Sequence, residues 1–185
     1  AWRQQRLREL FPLLASDPHD AQAHAASALL DTRLLLLTGG PGTGKTTTVT
    51  RALVLAVEAA LHAGLPPPRI ALAAPTGKAA ARLAESLREN LAALLADGAI
   101  TQDVAACLPT QASTLHRLLG WRAGGTGFAH DAANPLRADW VVVDEASMVD
   151  LPLMCKLVAA VAPDAGLLLV GDPDQLPSVE TGDVL

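Results

Sequence analysis

Between positions 34 and 62 the chain passes from four consecutive leucines, through Gly39-Gly40-Pro41-Gly42-Thr43-Gly44-Lys45-Thr46, into a long stretch of helical composition. The octet satisfies G-x-x-x-x-G-K-[ST], and it sits between a strand signal and a helix signal as that motif requires. Glycines let successive backbone N–H groups curl around phosphate oxygens with no side chain in the way. The positive end of the following helix faces the same anion. Lys45 supplies a mobile charge for the terminal phosphates, and the Thr46 hydroxyl is a hard oxygen ligand for Mg²⁺. Gly40, Pro41, Gly42, Thr43, Gly44, Lys45 and Thr46 are therefore the expected nucleotide-binding residues, with a nucleotide carrying β- and γ-phosphates and Mg²⁺ as the implied ligands.

The surrounding pattern predicts an α/β fold. Residues 34–37, 70–74, 140–143 and 167–170 are short apolar runs, expected as strands buried on both faces of a parallel sheet. Helices are expected over 3–11, 19–30, 45–62, 76–95 and 151–162, with one or two helical turns at 114–119. Residues 96–111 read as loop, and 122–138 as a long irregular connection containing Gly124-Gly125 and Asn134-Pro135. On this reading residues 1–31 form an N-terminal helical segment and 32–185 a nucleotide-binding domain with helices on both faces of the sheet. Ligands of such sheets bind at the carboxyl ends of the strands.

Composition removes other classes. Fourteen Lys and Arg against nineteen Asp and Glu leave a net charge of −5, unlike a protein that holds nucleic acid by bulk positive charge. Cys107 and Cys155 are far apart with no CxxC spacing, which argues against a disulfide framework or a zinc module. Aromatic residues make up 3% of the chain and Tyr is absent, so an extended surface gripping bases by stacking is not expected. No apolar run approaches a membrane span, and a cytoplasmic location is the expectation.

Further candidates lie at the other strand ends. Residues 140–143 run into Asp144-Glu145. Asp144 can hold Mg²⁺ at the mouth of the phosphate loop and Glu145 can activate the attacking water. The plainer alternative is a solvated turn capping a helix. Gln175, beyond the last strand, can sense a γ-phosphate or be an incidental turn residue, and Asp172 and Asp174 read as turn residues. Pro75-Thr76-Gly77-Lys78 repeats the design of a helix start facing a phosphate, here one in a nucleic-acid backbone. Arg82 shares a face with Glu85 and Glu89, so a salt-bridged surface competes with that reading. His116 alone reads as a satisfied structural histidine. Gln22 can pair with an adenine edge.

Taken together, GGPGTGKTTT, APTGKAAARL, STLHRLLG, NPL, VVVDEASMVDLPLM and GDPDQLPSVETGDVL resemble the RecD family, the alpha subunits of exodeoxyribonuclease V (RecBCD) within superfamily 1 DNA helicases. The resemblance runs from about Gln22 to Leu185. It implies a RecA-like first motor domain of an ATP-dependent helicase that moves 5′ to 3′ on single-stranded DNA in double-strand-break repair. It also implies ATP as the nucleotide and adds Thr47 to the nucleotide loop. By motif position it implies Gln22 as the adenine reader, Lys45, Asp144, Glu145 and Gln175 as catalytic residues, and Thr46 with Asp144 on Mg²⁺. Pro75, Thr76, Gly77, Lys78 and His116 would line the DNA track, and the other subunits of a RecBCD-type complex would be partners in the bacterial cytoplasm. Family members carry a second motor domain with a further arginine. The sequence thus reads as an excised first motor domain, expected to hydrolyse ATP poorly alone and not to unwind DNA. A stand-alone RecD-like helicase, a P-loop ATPase acting on protein, and a nucleotide-responsive docking module are the alternatives.

Overall fold

All four apolar runs expected as strands extend, a two-residue strand at Ser113–Thr114 that was not expected joins them, and all five run the same way. The computed structural model describes residues 2–15, 17, 19–122 and 127–172. Its strands are β1 (Leu34–Thr38), β2 (Ile70–Ala74), β3 (Ser113–Thr114), β4 (Trp140–Val143) and β5 (Gly166–Gly171), in one parallel sheet of order β1-β5-β4-β2-β3. The helices are α1 (Trp2–Leu10), α2 (Ala21–Leu29), α3 (Lys45–His62), α4 (Gly77–Ala96), α5 (Gln102–Ala106), α6 (Leu115–Leu118) and α7 (Leu151–Ala160).

Side chains alternate across a strand, so each apolar run feeds two cores. Leu72, Val142, Leu168 and Val170 face a core shared with α1 to α5, containing Leu53, Leu87 and Phe11. Ala73, Val141, Val143, Leu167 and Leu169 face a second core closed by α6 and α7 through Leu115 and Leu157. All six residues of β5 are buried, as expected of a strand paired on both edges and covered on both faces.

Strand β1 departs from the expectation of burial on both faces. Among the described residues it pairs with β5 alone, and Leu34 and Leu36 are 56% and 46% exposed. These two residues share the pleat face of Leu167 and Leu169, and among the described residues nothing covers them. An apolar run cannot by itself distinguish a central strand from an edge. The 96–111 stretch, expected as loop, contains α5, whose start is capped by Thr101 accepting from the Val104 N–H. Five residues are too few to show a helical period in sequence. The 122–138 connection is less irregular than expected. Trp121 bridges Phe128, Asp131 bridges Asn134, and Leu136 is buried in the second core.

The N-terminal helices join the same first core as α3. The Arg6 guanidinium donates to both oxygens of Glu58 on α3, at 2.6 and 2.7 Å, and also to the Ala99 carbonyl. Trp2 stacks on His62, with centroids 4.7 Å apart. No helix among the described residues is long and apolar enough to cross a membrane.

Candidate functional site

The parallel sheet brings the ends of β1, β4, β2 and β3 to one rim. After β1, Gly42 and Gly44 adopt φ of +75° and +79°, backbone that L side chains rarely accept. A Cβ at Gly40 or Gly42 would meet nothing within 4 Å, so the loop's open side can take a ligand at backbone distance. Helix α3 starts at Lys45 directly behind Gly44, a residue with no side chain to cap it. Its first N–H groups are consequently available to an anion.

The side chains around the loop are already arranged. The Lys45 ammonium donates to the carbonyls of Gly39 and Gly40, the latter at 2.9 Å. The Thr43 hydroxyl donates to the Gly40 carbonyl at 2.9 Å. Gln22, on α2, donates from Nε2 to the Thr43 carbonyl at 3.0 Å. A Cβ at Gly44 would lie 2.8 Å from that same amide nitrogen, so the helix preceding β1 is seated directly on the loop. Thr46 is half-buried at the first turn of α3. The Thr47 hydroxyl instead donates to Asn90 on α4 at 3.0 Å, away from the loop.

Across the rim, β4 ends at Val143 and delivers the acid pair. Val143 is level with Leu169 of β5, and Leu36 of β1 is level with the same residue. Asp144 therefore stands about 10 Å from β1, two strand spacings, at the height where β1 runs into the loop. Burial pushes the Asp144 carboxyl above its ordinary value. The Glu145 N–H pulls it down, the neighbouring Glu145 charge raises it, and the Lys45 ammonium lowers it. Lys45 and Asp144, a hundred residues apart in sequence, thus act on each other electrostatically. Glu145 holds φ +52° and ψ +39°, alone among the described non-glycine residues in positive φ. Such strain persists only where the surroundings enforce it, and it concentrates at functional positions.

Two buried polar groups here escaped the reading of the sequence. Ser147 is 7% exposed and its hydroxyl has no hydrogen-bond partner among the described residues. Asp172, expected as a turn residue, is 3% exposed where β5 ends beside the loop; Gly171 next to it accepts from the Gly39 N–H. Gln175 and Asp174 lie outside the described residues. Among those described, no three His, Cys, Asp or Glu residues cluster as a ready-made metal cage. A site of one hydroxyl and one carboxylate suits Mg²⁺, which keeps several waters and shares phosphate oxygens.

The raised Asp144 carboxyl has a consequence for stability. An acid whose folded pKa lies above its unfolded value favours the fold while protonated, and that contribution fades as pH rises through the folded pKa. In metal-free buffer at neutral pH, Asp144→Asn should melt higher than the parent. The gap should close as pH falls toward the ordinary carboxylate range. A lower melting temperature at every pH would show that the carboxylate is a structural asset.

A second helix start at the rim follows β2. Thr76 caps α4 by accepting from the Ala79 N–H at 3.1 Å, and Ala79 and Ala80 pack beneath Ala74. Thr76, Gly77 and Lys78 are exposed, Pro75 half-buried. Lys78, Arg82, Glu85 and Glu89 are all exposed, and among the described residues they take part in none of the four ion pairs, so this face is solvated without the expected salt bridges. Ala74 pairs with Thr114 on β3, so the start of α4, capped by Thr76, and the start of α6, which carries His116, follow neighbouring strand ends. His116 is exposed, not a buried structural histidine, and its ring meets Trp121 and Phe128.

Comparison with known proteins agrees with this geometry. A family profile described as an AAA domain matches residues 22–181. The RecBCD enzyme subunit RecD of Mycobacterium tuberculosis is 54% identical over 97% of this chain and 29% of its own length. The corresponding subunit of Haemophilus influenzae is 43% identical over 98% of the chain and 28% of its own length. The ATP-dependent RecD2 DNA helicase of Deinococcus radiodurans is 42% identical over 88% of the chain and 19% of its own length. The chain thus spans less than a third of the length of these curated relatives. With a glycine loop, a facing acid pair and a parallel sheet in the positions such a domain requires, this chain belongs to the AAA-domain family, and it is RecD-like over nearly its whole length.

Proposed function

We propose that the chain is the ATP-binding motor domain of a DNA helicase, coupling ATP hydrolysis to 5′ to 3′ movement along single-stranded DNA in double-strand-break repair. The observation that carries this reading is the convergence of Lys45 and Asp144 on one rim of the sheet, with a second capped helix start following β2, the strand next to β4. The open loop and the uncapped start of α3 fit a triphosphate, and the hard oxygens of Thr46 and Asp144 fit Mg²⁺. The metal, when bound, neutralises charge on the terminal phosphates.

The chain's own residues supply the rest. The backbone N–H groups from Gly42 to Thr47 orient the phosphates, and Lys45 exchanges its two loop carbonyls for phosphate oxygens. Glu145, held in its strained conformation, accepts the proton of the attacking water. Gln22 reads the adenine edge, and Gln175 serves as the γ-phosphate sensor. Pro75, Thr76, Gly77 and Lys78 hold the DNA backbone, and His116 stands beside them.

The relatives named as RecBCD subunits suggest that the other subunits of such a complex, in the bacterial cytoplasm, are the protein partners. Residues 1–185 alone should bind Mg–ATP but turn it over slowly, because an arginine finger brought by another element is worth about 10³–10⁵ in rate. The test is ATP turnover with and without single-stranded DNA, in this chain and in one extended to the length of the RecD relatives. The extended chain should be stimulated strongly by the strand. Hydrolysis indifferent to DNA in both would point to a docking module or a protein-remodelling ATPase.

A further inference from the structure

Five aromatic residues serve 185 positions, three Trp and two Phe, and the fold gives four of them structural work. Trp2 is stacked on His62, 7° from parallel. Phe11 is 1% exposed in the first core. Trp140 covers Gly166, where an added Cβ would come within 2.2 Å of the indole. Phe128 is packed against the second core. Trp121 remains, and it is 53% exposed.

Trp121 is nonetheless held firmly. Gly120 before it has φ +71°, and a Cβ there would come 2.7 Å from that of Ala129, so only glycine allows the two segments to close. The Ala129 N–H donates to the carbonyls of Leu119 and Gly120, and Trp121 itself bridges Phe128. The indole meets Phe128 at 5.3 Å and 60°, and His116 at 6.1 Å and 80°. Neither ring lies parallel to it, so among the described residues no stacked partner occupies an indole face. A large flat surface is thus braced by its neighbours and presented to solvent.

Its position gives it a ligand class. His116, in contact with the indole, lies in α6 directly after β3, whose last residue Thr114 pairs with Ala74, two residues before the Thr76 cap of α4. A cleft of about 220 Å³ beside His116 and Phe128 is bordered by Lys156, a cation able to meet a phosphate. Asp150, the acid bordering this cleft, is committed to capping α7, accepting from the Leu153 N–H at 2.7 Å.

We infer that Trp121 is a base-stacking platform, on which one unpaired nucleobase of single-stranded DNA lies against the indole while its backbone runs between Lys156 and the Thr76–Lys78 turn. A rigid exposed ring pays little entropy to stack, and every base offers a π-face, so the contact is indifferent to sequence. One platform sets a register point along the strand. It is not the extended stacking surface that the composition excludes.

The inference rests on the DNA reading above, and its test separates the two. In full-length protein, affinity is measured by fluorescence anisotropy for an oligo-dT strand and for a series carrying one abasic site at each position. One position should lose about 5- to 150-fold. Trp121→Ala should show the same loss on the intact strand and no further loss at that abasic position, because the two changes remove one contact. Trp121→Phe should retain most of the affinity, and 5-iodouracil at the sensitive position should cross-link to Trp121 in the parent protein. A flat abasic profile with no cross-link, or a Trp121→Ala protein that keeps the abasic sensitivity, overturns the platform. If single strands neither bind nor stimulate hydrolysis, the DNA reading itself has failed; if they do both with a flat profile, only the platform has.

Discussion

Glutamine at position 145 should leave Mg–ATP binding within about twofold of the parent and lower hydrolysis by about 10²–10⁴, the contribution of a positioned general base. The substitution is close to isosteric. It keeps the hydrogen-bonding shape and meets the same backbone demand at φ +52°, so the protein should fold and bind nucleotide as before. What it removes is the capacity to accept a proton at that spot. It also relieves Asp144 of a neighbouring negative charge, so nucleotide binding should not weaken on electrostatic grounds. The measurement is turnover beside equilibrium titration with a fluorescent ATP analogue, in a chain long enough to hydrolyse ATP at the motor's rate. A variant that binds and hydrolyses like the parent would remove Glu145 from the chemistry and favour a docking module. Loss of binding together with turnover would instead assign the residue to holding the loop.

The second large effect concerns stability at the far end of the helix that carries Lys45. Arg6 and Glu58 are only 15% and 13% exposed, and their forked contact is paired at both carboxylate oxygens. Removing one partner of such a pair strands the other charge and the Ala99 carbonyl in a poorly solvated place. Arg6→Ala should cost about 3 kcal/mol, read from urea denaturation. Replacing both members with apolar residues of similar volume, Arg6→Met with Glu58→Leu, should recover most of that, since burying the pair already carries a desolvation cost. A loss under about 1 kcal/mol for Arg6→Ala would place the contact with ordinary surface ion pairs. Neither change should alter the nucleotide loop's own hydrogen bonds, which lie at the opposite end of α3.

Much of the site was legible because its chemistry depends on residue type at short range. The spacing from Gly39 to Thr46, the Thr76 cap and the acids following Val143 are local facts, and each was found where its local signal put it. The misreadings share a different character. Leu34 and Leu36 spell a buried strand, yet β1 lies at the edge of the described sheet because pairing partners are chosen by topology. The five residues of α5 carry too short a period to recognise. His116 is equally compatible, on residue type, with a core or a rim. Its exposure follows from the β3 pairing and the turn at Gly120, both of which involve residues distant in sequence or a positive φ.

Residue order alone determined that this chain makes a parallel α/β sheet with a glycine-rich turn of the P-loop pattern, since hydrophobic period, glycine content and helix caps act over a few positions. Tertiary structure decided what lies beside what. It set Lys45 within electrostatic reach of Asp144, laid Gln22 on the loop, forced Glu145 into a strained backbone, and left one tryptophan of three uncovered. Those outcomes depend on long-range pairing and packing, where the energy of any position is set by neighbours that sequence distance does not specify.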